Sequence, residues 1–406
     1  MIRIEKALTQ PVPSDIYTIG APEDVLFFDI ETTGLSARSA GLYLIGMLTY
    51  TDKKWTLLQF FCEDVADEPA VLQAFFDLLR TKKTLISYNG DGFDIPFLRH
   101  MLEQYGLPNS FDAIESFDLF KKFRPLKRLL NLPDLKLKSC ERFLGIDRED
   151  RFNGGELIEV YFEWQKTKAP ALLDTLLLHN AEDIANLPNL LPLLRYRMLP
   201  NSDFQLRAHE RLQDGGAPLV HLSFTLLSPM PPSAHLPAEN DTREVTDDCG
   251  PHWPNTGKNE GREVMDHRHQ HWPALALPQP MDLRGDFWAL HAEGSTVELY
   301  VQLFEGERKL FFADFEHYYY LPAEDQVIHQ SLAEFVDRSA RKKACARNCY
   351  QRVSGCFLPE CSEVYTPALQ AEYRDMLRYA QYSDALFDDE AKAVTYLKSF
   401  LEAYGV

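Results

Sequence analysis

VLFFDIETTGL, residues 25–35, decides the fold. Four apolar residues, Val25 to Phe28, run into Asp29 and Glu31, and Gly34 follows as a turn residue. This reads as a buried β-strand that ends in two acids. Side chains on a strand alternate between faces, so Asp29 and Glu31 point the same way. Two carboxylates on one face of an apolar strand repel each other. A bound divalent cation removes that repulsion and fits the hard oxygen donors that Mg²⁺ or Mn²⁺ prefers. Taken alone, an Asp-x-Glu is also what a strand ending at solvent with two surface acids looks like.

Two later stretches supply partners. SYNGDGFDIPFL, residues 87–98, places Asp94 just after the Asn89-Gly90 turn. That is close to a strand end, where α/β sites gather. LLLHNAEDIANL, residues 176–187, carries His179 and Asp183 four positions apart. On a helix these stack on one face, while Leu176, Leu177, Leu187 and Leu190 seat the helix on a sheet. His179 by itself also reads as an amphipathic or capping residue.

Between these stretches the pattern is regular. GLYLIGMLTY and WTLLQFFC are further strands, giving an antiparallel start, and EPAVLQAFFDLLRT has helical spacing. TLISYNG is the next strand; helices are expected over 95–105, closed by Gly106, and over 137–144, closed by Gly145. Helical periodicity returns over 170–194, interrupted by Pro188 and Pro192. Strands followed by alternating strands and helices imply a mixed sheet covered by helices, in a domain spanning 1–205. Asp118, in SFDLFKKF, reads as a helix-start residue or as a fifth acid near the site.

Residues 206–228 read as a connector whose segment PLVHLSFTLLS alternates like a strand. Residues 229–280, rich in Pro and acidic tracts and carrying HRHQH, lack periodicity and read as a disordered linker. Alternating histidines can bind a transition metal, though in this setting they read as linker. Residues 281–406 form an α+β domain. There DFWALHA, TVELYVQLF and KLFFADF, with turns at Glu293-Gly294 and Glu305-Gly306, predict an antiparallel meander that PLVHLSFTLLS can join as a fourth strand. Helices are expected near 324–346, 366–380 and 389–403. At least one of Tyr318, Tyr319 and Tyr320 is expected in the core, since three in a row cannot face one way on a strand.

With 406 residues, 45% hydrophobic and 25% charged, the chain has the balance of a soluble protein of two domains. The start, MIRIEKALTQ, lacks a signal-peptide core and no apolar run is long enough for a membrane span, so a cytoplasmic protein is expected. Seven cysteines, an odd number, then read as reduced thiols. Cys345, Cys349, Cys356 and Cys361 lack the Cys-x₂-Cys pairing of structural zinc. A net charge of −19 opposes nucleic acid as a partner, but the basic residues are clustered. Residues 121–142 hold eight basic residues against two acidic ones, and 338–352 hold six against none. Such runs are commonly solvated helix faces. Beside an acidic metal site, Lys121, Lys122, Arg124, Lys127 and Arg128 become a wall for a nucleic-acid backbone. The chain contains no Walker loop, dinucleotide fingerprint or Ser-His-Asp arrangement.

Through DIETTGL, SYNGDGFD, LPDLKLKSCERFLGI with its following Arg, and HNAED, residues 20–200 resemble the DEDD 3′–5′ exonucleases of the ribonuclease H-like fold. Among them the likeness is to the YprB family. The resemblance implies that Asp29, Glu31, Asp94 and Asp183 bind two divalent cations, Mg²⁺ or Mn²⁺. It places His179 where these enzymes have a general base or water-orienting residue. In the histidine subgroup that His usually lies five residues before the last Asp; here it lies four before, the spacing of the tyrosine subgroup. Thr32, Thr33 and Leu35 are implied to line the pocket for a terminal nucleotide. Asn89 either supports the loop carrying Asp94 or touches substrate. The implied activity is 3′–5′ exonucleolytic hydrolysis of single-stranded DNA or RNA. Endonucleolytic cleavage on the same fold, or a non-catalytic nucleic-acid-binding module, are the alternatives.

Overall fold

The computed structural model describes residues 1–109, 111–213, 217–227 and 276–405. Most of the expected linker at 229–280, including HRHQH, lies outside the described residues.

A six-stranded sheet organises the N-terminal half in the order β1-β4-β3-β2-β5-β6, where β1 is Ile2–Ala7, β2 Val25–Thr32, β3 Leu42–Thr51, β4 Lys54–Phe61, β5 Thr84–Ser87 and β6 Glu115–Asp118. β1 through β2 pair antiparallel, whereas β5 and β6 continue parallel to β2. The sheet is therefore mixed, with β2 at its centre and almost wholly buried. The alternation along β2 divides the core. Leu26, Phe28 and Ile30 pack against helices α1 (Glu68–Leu79) and α2 (Asp94–Tyr105) through Val71, Phe75, Leu98 and Met101. Val25 and Phe27 face the opposite side. That alternation delivers Asp29 and Glu31 to the side away from α1 and α2.

Short helices α3 (Leu119–Phe123), α4 (Leu126–Leu129) and α5 (Leu137–Phe143) lead to α6 (Gly154–Thr167) and α7 (Pro170–Asn186). α6 opens with a capping box between Asn153 and Glu156, and α7 opens on Pro170, whose missing N–H costs nothing in a first turn. Contact of α7 with β2, β3 and β4 covers the second face of the sheet. Pro188 and Pro192 turn the rest of the expected helix into a 3₁₀ segment, Pro188–Leu193, before α8 (Leu194–Met198). Gly106 and Gly145 close their helices in the left-handed region, at φ 64° and 72°.

Beyond α8, a five-stranded sheet runs β7-β8-β11-β10-β9, with β7 at Phe204–Leu212, β8 Leu219–Leu226, β9 Met281–Arg284, β10 Trp288–Glu293 and β11 Thr296–Gln302. β9, β10 and β11 form an antiparallel meander, with Gly294 at φ 57° in its turn. β8 pairs with β11 from Leu219 to Thr225. Leu190 and Tyr196 of the 3₁₀–α8 segment share one continuous core with Leu222, Leu299 and Phe400.

The C-terminal expectations need three corrections. The strand expected at 309–315 to complete the meander does not join it: its first residues belong to β12 (Phe304–Phe311), which pairs with β16 (Tyr350–Glu360) in a second sheet with β17 (Arg378–Gln381). Glu305-Gly306 is strand, not turn. Gly306 is needed because the Phe304 ring lies across it, only 2.9 Å from where a Cβ would stand. Of the three expected helices only the last forms, as α9 (Glu390–Tyr404). The 324–346 stretch holds strands β14 (Gln326–His329) and β15 (Lys342–Lys343), which flank β13 (Tyr318–Leu321), together with 3₁₀ turns. The 366–380 stretch contributes bridges at Leu369 and Gln370. Finally, all three tyrosines of β13 are half-buried and none is core. No helix among the described residues is long and apolar enough to cross a membrane.

Candidate metal centre

β2 continues beyond the end of β5: their pairing stops at Phe27 opposite Ile86, so Ile30 has no strand neighbour on that side. Asp94, the first residue of α2, fills the gap. Its Oδ1 accepts the Ile30 N–H at 3.1 Å. The preceding loop is tied down by Asp118, which accepts from the N–H groups of Asn89 (2.9 Å) and Asp91 (3.3 Å) and also caps α3 through Phe120. Asp118 is thus a helix-start and loop-anchoring residue. Asn89 sits at φ 64°, its carbonyl accepting from Gly92 and Phe93, and its side chain covers Gly92.

On the other side of β2, α7 brings His179, Asn180 and Asp183 to the two strand acids. Gly46, directly opposite Asp29 on β3, makes the approach possible: a Cβ there would lie 2.0 Å from Asn180 Oδ1. Asn180, wholly buried, donates to Asp29 Oδ2 (3.2 Å) and accepts from Gln59 (3.0 Å). Gly46→Ala is therefore expected to push α7 off the sheet. It should cost about 1–3 kcal/mol of stability and weaken divalent-ion binding by the same displacement. Urea unfolding and cation titration check this; unchanged values for both would show that the close approach is immaterial.

His179 lies within one helical turn of Asp183. Its Nε2 is 3.3 Å from Asp183 Oδ2 and 3.7 Å from Glu31 Oε1, while its Nδ1 meets Asp150 Oδ2 at 2.7 Å. One donor atom from each of Glu31, His179 and Asp183 falls within 4.8 Å of the others. Asp183 is also gripped by Arg148, whose guanidinium reaches Glu141 (3.2 Å), Glu182 (3.4 Å) and Asp150 (3.7 Å) as well. Tyr43 donates to Glu31 at 3.5 Å.

The electrostatics follow from this crowding. Burial pushes the Asp29 carboxyl well above its usual range, and the charges of Asp94, Glu31 and Asp183 push it further; the Asn180 hydrogen bond pulls only weakly the other way. Glu31 is raised by burial, then by Asp183 and Asp94. Burial lifts Asp94 to about 7 against the bond from Ile30. Burial also works against ionised Asp150, but hydrogen bonds from Lys138 and His179 hold its carboxyl below the ordinary value. Burial opposes the Arg148 charge, and Asp183 and Glu141 more than offset it. Three buried acids that resist joint ionisation, beside a fourth acid and a ring nitrogen, form a donor set suited to a small divalent cation.

The other expected residues surround this cluster. Thr32 and Thr33 spend their hydroxyls on the turn, with Thr32 donating to the Gly34 carbonyl (2.9 Å) and Thr33 accepting from the Gly41 N–H (2.8 Å), while Leu35 is 88% exposed. Of the basic residues, Lys121 pairs with Asp91 at 2.6 Å, Lys122 lies over the Phe117 ring, and Arg128 lies over Tyr404. Arg124 and Lys127 are exposed. Cys345, Cys349, Cys356 and Cys361 are free, and none of them joins a metal-holding group among the described residues. Sequence reasoning gave no role to Gly46, Asn180 or Asp150, and Arg148 entered it only as the Arg that follows LPDLKLKSCERFLGI. HNAED contains Asn180 beside His179, and RED contains Arg148 and Asp150, but neither motif signals a partner in the other.

Residues 26–195 match the family model described as the RNase H superfamily. With its mixed sheet between helices, this part of the chain has the ribonuclease H-like fold. Among solved structures, the chain is similar to the family B DNA polymerase of the hyperthermophilic archaeon Pyrobaculum calidifontis, with 18% identity and a TM-score of 0.34, over 45% of this chain and 25% of that one. It is also similar to a structure described as the apo form of the nuclease, with 19% identity and a TM-score of 0.29, over 44% of this chain and 75% of that one. The chain thus spans about a quarter of the polymerase it matches.

Proposed function

We propose that this chain is a metal-dependent nuclease of the DEDD, YprB-like kind, which removes nucleotides from the 3′ end of single-stranded DNA or RNA. One observation carries the reading: Asp29, Glu31, Asp94 and Asp183, from three distant segments, are gathered at the end of one buried strand, where burial lifts the pKa of the first three and repulsion from the neighbouring acids lifts Asp29 and Glu31 further. These four would hold a pair of divalent cations, which supply Lewis acidity at the phosphate and an acidified water. The chain's own work is to fix the acids beforehand. Asn180 holds Asp29, the Ile30 N–H holds Asp94, and Arg148 holds Asp183. A ring nitrogen at Glu31 and Asp183 can either accept the proton of the attacking water or ligate a cation. Leu35, exposed on the turn after Glu31, would meet a terminal nucleotide, with Thr32 and Thr33 shaping that turn. Lys121, Lys122, Arg124, Lys127 and Arg128 serve the phosphate backbone. In this reading residues 1–205 are catalytic, and residues 281–406, with their basic run at 338–352, help to grip the strand.

End-labelled DNA and RNA oligonucleotides of matched sequence, blocked at either end, test the proposal with Mn²⁺ or Mg²⁺ present. Stepwise shortening from a free 3′ end is expected, and comparing the two sugars reads any contact to the 2′-hydroxyl. Internal cuts on 3′-blocked strands would replace the exonuclease by an endonuclease. Binding without turnover would leave only a nucleic-acid-binding module.

A further inference from the structure

His179 precedes Asp183 by four residues on α7, so the two side chains leave the helix along one ridge. With the His five residues before the Asp, as is usual in the histidine subgroup, the ring would emerge about 100° further round the helix. The shorter spacing sets the imidazole beside the acid. Its orientation is then fixed from behind. Asp150 Oδ2 already accepts from Lys138 Nζ at 2.9 Å, and it meets His179 Nδ1 at 2.7 Å. An acceptor there places the ring proton on Nδ1 and leaves the Nε2 lone pair facing Asp183 Oδ2 at 3.3 Å and Glu31 Oε1 at 3.7 Å. A lone pair opposed to two carboxylate oxygens calls for a positive charge between them. Two atoms bound to one small divalent ion at ~2.1 Å lie roughly 3.0–3.5 Å apart, which is close to the separations observed. A carboxylate behind a histidine that faces other donors is also the arrangement by which proteins orient metal-binding imidazoles.

We infer that His179 is itself a cation ligand, together with Glu31 and Asp183, that Asp150 is its positioning residue, and that the site selects Mn²⁺ or a similar transition ion over Mg²⁺. The inference rests on the nuclease reading for the presence of a cation and adds the ligand and the ion class. One imidazole among carboxylates shifts a site away from Mg²⁺, which prefers oxygen alone.

Mn²⁺ bound to the full chain can be examined by electron spin-echo envelope modulation, which detects a directly ligated ¹⁴N. Strong ¹⁴N modulation is expected in the wild-type protein, and its loss in His179→Ala. Titration calorimetry should show Mn²⁺ binding weakened by roughly 10–100-fold in Asp150→Asn, with Mg²⁺ binding changed less than threefold in either variant. Bound Mn²⁺ without ¹⁴N modulation in the wild type would overturn the ligand assignment and leave the nuclease standing. Absence of any divalent-ion binding would overturn both. Should His179→Ala fail to fold, the wild-type spectrum decides alone.

Discussion

Asp29→Asn is expected to lower phosphodiester hydrolysis by roughly 10³-fold while making the metal-free protein more stable. The two effects have one cause. Asp29 is buried among Asp94, Glu31 and Asp183, so its ionised form is costly without a cation and useful with one. An Asn side chain can still accept from Asn180 in place of the Asp29 carboxylate, so the contact between β2 and α7 survives. Stability should follow pH in a definite direction. Folded-state pKa values are raised for Asp29, Glu31 and Asp94, reaching about 7 at Asp94, while in the unfolded chain these carboxyls titrate near ~4. Below ~4 they are protonated in both states and their contribution is fully present. As pH rises through the folded values that contribution is lost, so metal-free protein should weaken from pH 5 to pH 8. Asp29→Asn should recover about 1–3 kcal/mol at pH 8 and almost nothing at pH 4. Denaturant unfolding in a chelator gives the stability change, and single-turnover hydrolysis with Mn²⁺ gives the loss of rate. Wild-type hydrolysis by this variant would dismiss the site.

The strand acids were legible because strand alternation alone determines that Asp29 and Glu31 share a face. For His179 and Asp183 the helical repeat did the same. Both are local rules, and both motifs sit inside long apolar segments whose periodicity is unambiguous. The groups that hold the acids in place were not legible. Asn180 meets Asp29 across 151 positions, and Arg148 meets Asp183 across 35. No periodicity links such pairs; only the packing of α7 on the sheet brings them together. Gly46 stands in an apolar run, and nothing local to it marks the approach of α7.

The C-terminal misreadings have a similar origin. The 366–380 stretch is rich in Ala, Leu and Arg, which favour helix intrinsically. Leu369 is buried instead against Phe357 and Tyr379, held by paired hydrogen bonds with Tyr379 at 2.8 and 2.9 Å. Burial on an existing sheet outweighs a propensity worth only tenths of a kcal/mol per residue. Likewise Val327 and Ile328 pair with Tyr320 and Tyr319, so a spacing compatible with a helix is used as strand.

Arg148→Met should be the most destabilising single change near the site. The guanidinium is 7% exposed, with Glu141 at 3.2 Å, Glu182 at 3.4 Å, Asp150 at 3.7 Å and Asp183 in direct contact. Removing it leaves several carboxylates without their shared cation, two of them in side chains only 1% exposed. Breaking a buried pair from one side costs about 3–5 kcal/mol, because the charge left behind has nothing to replace its lost water. Lysine should not rescue: its single ammonium cannot reproduce the planar fork that serves α5 and α7 at once. The loss should shrink when Mn²⁺ is added, since a cation at Glu31 and Asp183 neutralises one of the stranded acids. The increase in melting temperature on adding Mn²⁺ is therefore expected to be larger in Arg148→Met than in the wild type. That difference separates a scaffold remote from the metal centre from one that shares an acid with it. Equal increases would mean that Asp183 belongs to the arginine network and is not a cation ligand, and a stability loss below about 1 kcal/mol would place the network at the surface in solution.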